Sequence, residues 1–204
     1  MKYDLTHLIQ EENQKVYGPI QDDEALLLYS LIRTMGLKKI VEVGSFNGYS
    51  ATNFLKAIGK QGFLIGIDVN PTPKIANNHT VIIKDVGLVS CEEIPWRIDL
   101  VFYDCHNFDS SMIFQKTMES CGKITKNTVL VLHDTNLHPY KTVDHCYQIK
   151  DGWVHVVAER KMVNTLHDQG WDAINFNTKL DDHGDHLPFR HGLTIMRMFS
   201  RLEL

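Results

Sequence analysis

The sequence predicts an α/β domain built on a doubly wound, mostly parallel sheet. Three observations carry that prediction. Short apolar runs alternate with helical patterns along the chain, as a parallel sheet covered on both faces requires. The first run leads through a glycine-spaced turn, Gly44-Ser45-Phe46-Asn47-Gly48, straight into a helix. The runs that follow end on Asp68, Asp85 and Asp104, which places carboxylates at the sheet edge where open α/β folds bind ligands.

In order, Asp22 is the expected N-cap of a helix over residues 23–35, whose Ala25, Leu28, Leu31 and Ile32 share one face and whose stop is Gly36. Residues 1–36 are thus read as a helical segment opening a single domain that spans 1–204. The first strand covers 39–43, and the helix after the turn covers 49–58. A second strand over 63–67 closes on Asp68, and a third over 80–84 closes on Asp85. The Pro71/Pro73 segment between them carries little helix signal. The fourth strand, 98–103, ends at Asp104. A helix over 111–121 stops at Gly122, and the fifth strand, 128–132, delivers His133-Asp134-Thr135. Residues 154–168 read as a helix stopped by Gly170, and the runs 171–177 and 193–199 complete seven strands.

With 204 residues, 43% of them hydrophobic, the chain can bury one sizeable core but is short for two. A formal net charge of −4 and scattered Lys and Arg supply no basic stripe, which argues against nucleic acid and for a small-molecule substrate. No run approaches the roughly 18 apolar residues of a membrane span. Asp4, His7 and Gln10 stand where a signal peptide is apolar, so a cytoplasmic protein without membrane contact is expected. A homo-oligomer is compatible with this composition. Cys91, Cys105, Cys121 and Cys146 are widely spaced, and reduced, mostly buried thiols are the expected state.

Gly44 and Gly48 let the backbone turn sharply and approach a ligand, while the amides opening the next helix face an anionic group. A dinucleotide fingerprint needs G-x-G-x-x-G. This turn instead reads Glu42-x-Gly44-x-x-x-Gly48, with Ser45 where the second glycine would admit a pyrophosphate. Asp68 follows at the distance where an acid can accept both ribose hydroxyls. The pattern resembles the first motif of class I S-adenosylmethionine-dependent methyltransferases, an acidic residue, x, Gly, x-x-x, Gly. That resemblance implies a Rossmann-like sheet with an antiparallel seventh strand and S-adenosylmethionine as cofactor. It further implies a cofactor pocket formed by Glu42, Gly44, Ser45, Phe46, Gly48, Ser50, Asp68, Val69, Asp85, Val86 and Asp104, with Asp85 on the adenine amino group.

Two further segments, Asp104-Cys105-His106 and His133-Asp134-Thr135, resemble a methyltransferase subgroup with an Asp-Gly-x-His loop after strand four and His-Asp-Thr after strand five. Here Cys105 stands for the glycine and the loop is one residue shorter. Small-molecule O-methyltransferases of the catechol and sugar types hold magnesium with acids at these strand ends, which implies Asp104 and Asp134 as metal ligands. His133 or Asn136 completes the set. Imidazole is softer than magnesium prefers, so His133 suits manganese, iron or zinc better.

A methyl acceptor's hydroxyl needs either a cation to stabilise its oxyanion or a base to remove its proton. The lysine of the catechol enzymes has no counterpart in Cys105-His106-Asn107. His106 is therefore the preferred base and His133 the second choice, with Asp109 either orienting one of them or capping the next helix. Phe46, Tyr49, Trp96 and Trp153 either flank the ligands or belong to the core. The segment 181–191, with three His and three Asp, reads as a solvated loop in preference to a metal site, with a substrate lid as its functional hypothesis. Tyr140, Lys141, Arg160 and Arg190 are candidates for recognising a polar substrate.

The expected activity is O-methylation of a small hydroxylated metabolite such as a sugar, nucleotide-sugar or natural-product intermediate, assisted by Mg or Mn. Two alternatives stay open. One is a metal-dependent hydroxylase-like relative, because similar His-Asp-Thr segments occur with oxidation chemistry. The other is a non-catalytic S-adenosylmethionine-binding module, which needs Asp68 and Asp85 but not Asp104, His133 and Asp134 together.

Overall fold

The computed structural model describes residues 20–135, 145–149, 152–156, 158–176 and 192–198. Helix α1 (Asp22–Met35) is followed by β1 (Lys39–Val43), α2 (Tyr49–Ile58), β2 (Phe63–Asp68), β3 (His79–Ile83) and β4 (Leu100–Tyr103). Then come α3 (Phe108–Ser120), β5 (Val129–His133), β6 (His145–Ile149), β7 (Gly152–Val156), α4 (Ala158–Asp168), β8 (Trp171–Phe176) and β9 (Leu193–Met198). Seven strands form one sheet in the order β3-β2-β1-β4-β5-β9-β8. β9 runs antiparallel to both β5 and β8, while the other pairings are parallel. The expected seven-stranded sheet with an antiparallel seventh member is what forms.

Alternation along each strand divides the core in two. Ile40, Leu100, Phe102, Val129 and Val131 pack with Ala25, Leu28 and Ile32 of α1 and with Phe54 of α2. The neighbouring Val41, Val101, Tyr103, Leu130 and Leu132 pack on the opposite face with Met112, Phe114 and Met118 of α3 and Met162 and Leu166 of α4. Fully buried Phe54, Phe102 and Phe114 each contribute about 2–3 kcal/mol of transfer free energy. The strand order reverses between β1 and β4, so the chain leaves these neighbours in opposite directions and opens a crevice at their carboxyl ends. Gly44 and Asp104 sit there. A Cβ on Gly44, whose φ is +89°, would lie 2.6 Å from the Asp104 carbonyl carbon; only glycine permits so close an approach.

Several expectations need correction. Gln21, not Asp22, caps α1, because Glu24 reaches back to accept the Gln21 backbone N–H at 2.7 Å. Asp22 instead accepts from the Tyr49 hydroxyl at 3.0 Å, tying α1 to α2. Helix α3 begins at Phe108, since the Asn107 side chain caps it by accepting from Ser110 N–H, and Asp109 occupies the first turn.

The residues from 154 to 156 are strand, not helix. They end β7, which pairs with β6 in a separate antiparallel hairpin. The β-branched and aromatic residues of Trp153-Val154-His155-Val156 favour that state. No α-helix joins β2 to β3 or β3 to β4. An extended proline-containing segment and 3₁₀ turns at Val86–Leu88 and Cys91–Glu93 serve there.

Cys91 and Cys121 are joined by a disulfide, with Cα atoms 6.5 Å apart, because the end of α3 packs beside the second of those turns. Cys105 remains a thiol. Among the described residues no helix is long and apolar enough to cross a membrane. The expected lid over 181–191, Asn136, Tyr140, Lys141, Arg190, and the side chains of Cys146 and Trp153 lie outside the described residues, as does the start of the helical segment before residue 20.

Candidate active site

The turn after β1 is held against its neighbour by Gly44 N–H, which donates to the Ile67 carbonyl at 2.8 Å. Phe46, at φ +41°, turns its backbone N–H to Asp68 Oδ2 at 2.9 Å while Asn70 N–H takes Oδ1 at 2.8 Å. Asp68 thus shapes the loops that follow β1 and β2. Asp85 accepts from Gly87 N–H at 2.8 Å. Val86 is buried, whereas Val69 and Phe46 are exposed. Beneath the turn, Glu42 is fully buried and accepts from the Ser50 hydroxyl. Its Oε2 is buried, and so is the Ser45 hydroxyl beside it. Burial is the main cause that lifts the Glu42 carboxyl to about 7, opposed by the hydrogen bonds of Ser50 and Ser45 and helped by the negative charges of Asp104 and Asp68. A buried carboxyl answered by two hydroxyls under a glycine turn suits a polar, cationic ligand.

The ends of β4 and β5 converge beside this turn. Ligand atoms of Asp104, His133 and Asp134 lie within 4.8 Å of one another. His133 Nδ1 is buried and stands 3.2 Å from Asp104 Oδ1 and 3.5 Å from Asp134 Oδ1. Its Nε2 is 3.2 Å from Glu24 Oε2 on α1. Burial disfavours the His133 imidazolium, but Asp134, Asp104 and Glu24 outweigh that and hold its pKa well above the ordinary histidine value. Asp104 is shifted upward, chiefly by burial, with His133 and His106 opposing. Two carboxylates and a ring nitrogen that converge this closely are a chelating donor set once Nδ1 gives up its proton, so the residues present fit a divalent cation.

His106 enters from the same loop. Its Nε2 is 3.7 Å from Asp104 Oδ1 and 3.8 Å from Asp134 Oδ2. Glu159, at the start of α4, accepts the His106 backbone N–H at 2.7 Å and holds Nδ1 at 3.1 Å. Burial depresses the imidazole, but the hydrogen bond and charge of Glu159, with Asp104 and Asp134, prevail and place its pKa at about 9. Cys105, in the place of the expected glycine, turns away to Ser111 Oγ at 3.2 Å, and burial pushes its thiol up to about 11. An inert thiol is the consequence. His106 and Asp134 have φ of +55° and +53°. With Phe46 they are the non-glycine positive-φ residues among those described, and all lie in loops at this one edge. Such backbone costs on the order of 1–3 kcal/mol per residue and is retained where surrounding structure imposes it.

Comparisons with known proteins bear on the fold that carries this site. An O-methyltransferase family model matches residues 4–88. Catechol O-methyltransferase B of Danio rerio is 28% identical over 55% of this chain and 48% of its own, so the chain spans about half the length of that curated relative. The SAH-bound methyltransferase PaMTH1 of Podospora anserina superposes with a TM-score of 0.61 at 15% identity, over 92% of this chain and 84% of that one. The O-methyltransferase TomG of Streptomyces achromogenes, in complex with SAM, gives 0.61 at 17% identity, over 98% and 92%. The chain carries an O-methyltransferase fold. The class I resemblance read from Glu42, Gly44 and Gly48 is borne out.

Within this O-methyltransferase fold, the acids and glycines expected from the sequence at the ends of β1 to β5 all reach one edge. Tyr49 and Trp96 pack against the core. Two carboxylates were not anticipated. Glu24 lies four residues before Leu28 and eight before Ile32, so helical periodicity already places it on the buried face of α1. Glu159 is masked in the sequence by the expectation of a helix starting at 154. With the true start at Ala158 it falls in the first turn, facing the β4 loop.

Proposed function

We propose that the protein transfers the methyl group of S-adenosylmethionine to a hydroxyl of a small metabolite. The carrying observation is that Asp104, His133 and Asp134 converge at the sheet edge beside the turn that covers the buried Glu42 carboxyl. Glu42 would face the cationic cofactor, and Asp68 and Asp85 its ribose and adenine. The acceptor oxygen attacks the methyl carbon as the carbon–sulfur bond breaks; the sulfonium becomes a neutral thioether and the hydroxyl proton leaves to a base. A divalent cation, Mg²⁺ or Mn²⁺, held by Asp104, Asp134 and His133 would supply Lewis acidity that acidifies the acceptor hydroxyl.

His106 suits the base better than His133. Its side chain keeps 20% of its surface exposed against 4% for His133, which is enclosed between Glu24 and the two aspartates. In the ion-free protein His106 is an imidazolium at neutral pH. A cation's charge on Asp104 and Asp134 cancels two of the influences that raise it, and so frees Nε2 to take a proton. The acceptor class is a sugar, nucleotide-sugar or natural-product intermediate.

The test is methyl transfer from isotopically labelled S-adenosylmethionine to a panel of such hydroxyl compounds, with and without exhaustive chelation. Chelation should lower transfer while cofactor affinity holds. Full activity in excess chelator overturns the metal assistance. Oxygen consumption without label transfer would favour the hydroxylase-like alternative, for which the imidazole among the donors also speaks.

A further inference from the structure

Glu24 and His133 are 109 residues apart in sequence and lie on different elements, yet their side chains meet inside the protein. Glu24 is 1% exposed and His133 3% exposed. Glu24 Oε2 stands 3.2 Å from His133 Nε2 and also accepts the Gln21 backbone N–H, while Oε1 has no hydrogen-bond partner. A carboxylate can only accept, so Nε2 carries a proton towards Glu24. Nδ1 faces the carboxylates of Asp104 and Asp134 in the same way, and its proton is the one that a cation held by those two would displace.

Resting on the metal-assisted reading above, we propose that Glu24 is a positioning residue. It fixes His133 with Nε2 protonated and Nδ1 directed at the ion, giving the site one nitrogen ligand and a preference for a first-row transition ion over Mg²⁺. The chemistry is that of a metal-bound imidazole whose far N–H is held by a carboxylate, an arrangement that sets ring orientation and raises ligand basicity. Magnesium, which favours oxygen ligands throughout, gains little from it. Helix α1 thereby acts on the centre without touching substrate, and its N-terminal cap and the metal ligand depend on the same carboxylate oxygen.

The test uses Co²⁺ and Mn²⁺ as probes, with Mg²⁺ measured by competition, on the full chain and on Glu24→Gln, His133→Asn and the double variant. Glu24→Gln keeps an acceptor for the Gln21 N–H and loses the charge. It should weaken Co²⁺ and Mn²⁺ about 10- to 100-fold and leave Mg²⁺ nearly unchanged. In the His133→Asn background the same substitution should do nothing further. Equal weakening of all ions, or an undiminished effect when His133 is absent, would show that Glu24 merely ties α1 to β5 and would overturn the proposal. A second measurement needs no variant. In the Zn²⁺-loaded protein, nitrogen NMR should show His133 with a protonated Nε2 and a metallated Nδ1, and the opposite tautomer overturns the assignment. Failure of the wild-type chain to bind any of these ions would instead defeat the metal reading on which this one rests.

Discussion

Glu159 grips His106 twice: one carboxylate oxygen accepts the backbone N–H at 2.7 Å and the other lies 3.1 Å from Nδ1. The first contact holds a histidine at a φ of +55°, a conformation its side chain disfavours. The second presents Nε2 towards Asp104 and Asp134. Helix α4 is in turn seated on α3, with Lys161 Nζ 3.9 Å from the Phe108 ring centre. The packing of two helices on one face of the sheet therefore reaches the proposed base directly.

His106→Ala should lower turnover of bound substrate roughly 10²- to 10⁴-fold, the range for loss of a positioned general base, with little change in cofactor affinity. Steady-state kinetics alongside calorimetry separate the two. Should His133→Ala remove the basic ionisation from the pH–rate profile while His106→Ala leaves it intact, the base lies on β5.

The same pair sets a pH dependence of stability in the ion-free protein. The folded pKa of His106 is raised from 6.5 to about 9, so its stabilising contribution is fully present below 6.5 and disappears as pH rises through about 9. That contribution is on the order of 3 kcal/mol. Denaturant titrations between pH 6 and 10 should show a fall that is reduced in Glu159→Gln, because the variant lacks the charge and the strong acceptor. Parallel curves for the two proteins would mean that Glu159 is not what holds the proton on His106.

Asp68→Ala should weaken S-adenosylmethionine binding by roughly 1.5–3 kcal/mol, the value of losing hydrogen bonds to a charged acceptor. The structure adds a second reason, since the same carboxylate holds Phe46 N–H and Asn70 N–H and so keeps the turn in shape. Calorimetry on a variant whose circular dichroism is unchanged decides it; an unaltered dissociation constant removes Asp68 from the cofactor site.

What the sequence makes legible here is whatever depends on local pattern. Alternating apolar runs locate β1, β2, β4 and β5, and the glycines at 44 and 48 locate the turn, because strand periodicity and backbone freedom are properties of neighbouring residues. Asp104, His133 and Asp134 follow because a parallel sheet must bring its carboxyl ends to one edge. The contacts that orient these groups are of another kind. Glu24 meets His133 and Glu159 meets His106 only after helices have packed on opposite faces, and Cys91 meets Cys121 only after α3 has returned beside a 3₁₀ turn. Nothing in local spacing encodes which distant side chain will arrive. The β6/β7 hairpin illustrates the same limit, since a short apolar run such as Trp153–Val156 fits strand or helix until its partner is known.

Glu42 offers the sharpest test of the cofactor reading, because its burial sets stability against binding. Its folded pKa is raised from 4.5 to about 7, so stability is fully present below 4.5 and is lost as pH rises through about 7. The loss approaches about 3 kcal/mol once the carboxylate is ionised on both sides of the folding equilibrium. Glu42→Gln keeps the shape and an acceptor for the Ser50 hydroxyl but has no proton to lose. It should match the wild type near pH 4.5 and exceed it at pH 8 in urea unfolding without cofactor. With cofactor the order reverses. Wild-type affinity for S-adenosylmethionine should rise as pH passes 7, because an ionised Glu42 answers the sulfonium charge. The variant should bind more weakly and with a flatter pH profile. S-adenosylhomocysteine, whose sulfur is neutral, should show less of this dependence. If Glu42→Gln gains no stability at pH 8, the buried carboxyl is not destabilising; if it gains stability and binds the cofactor as well as the wild type, Glu42 lies outside the cofactor's electrostatic reach.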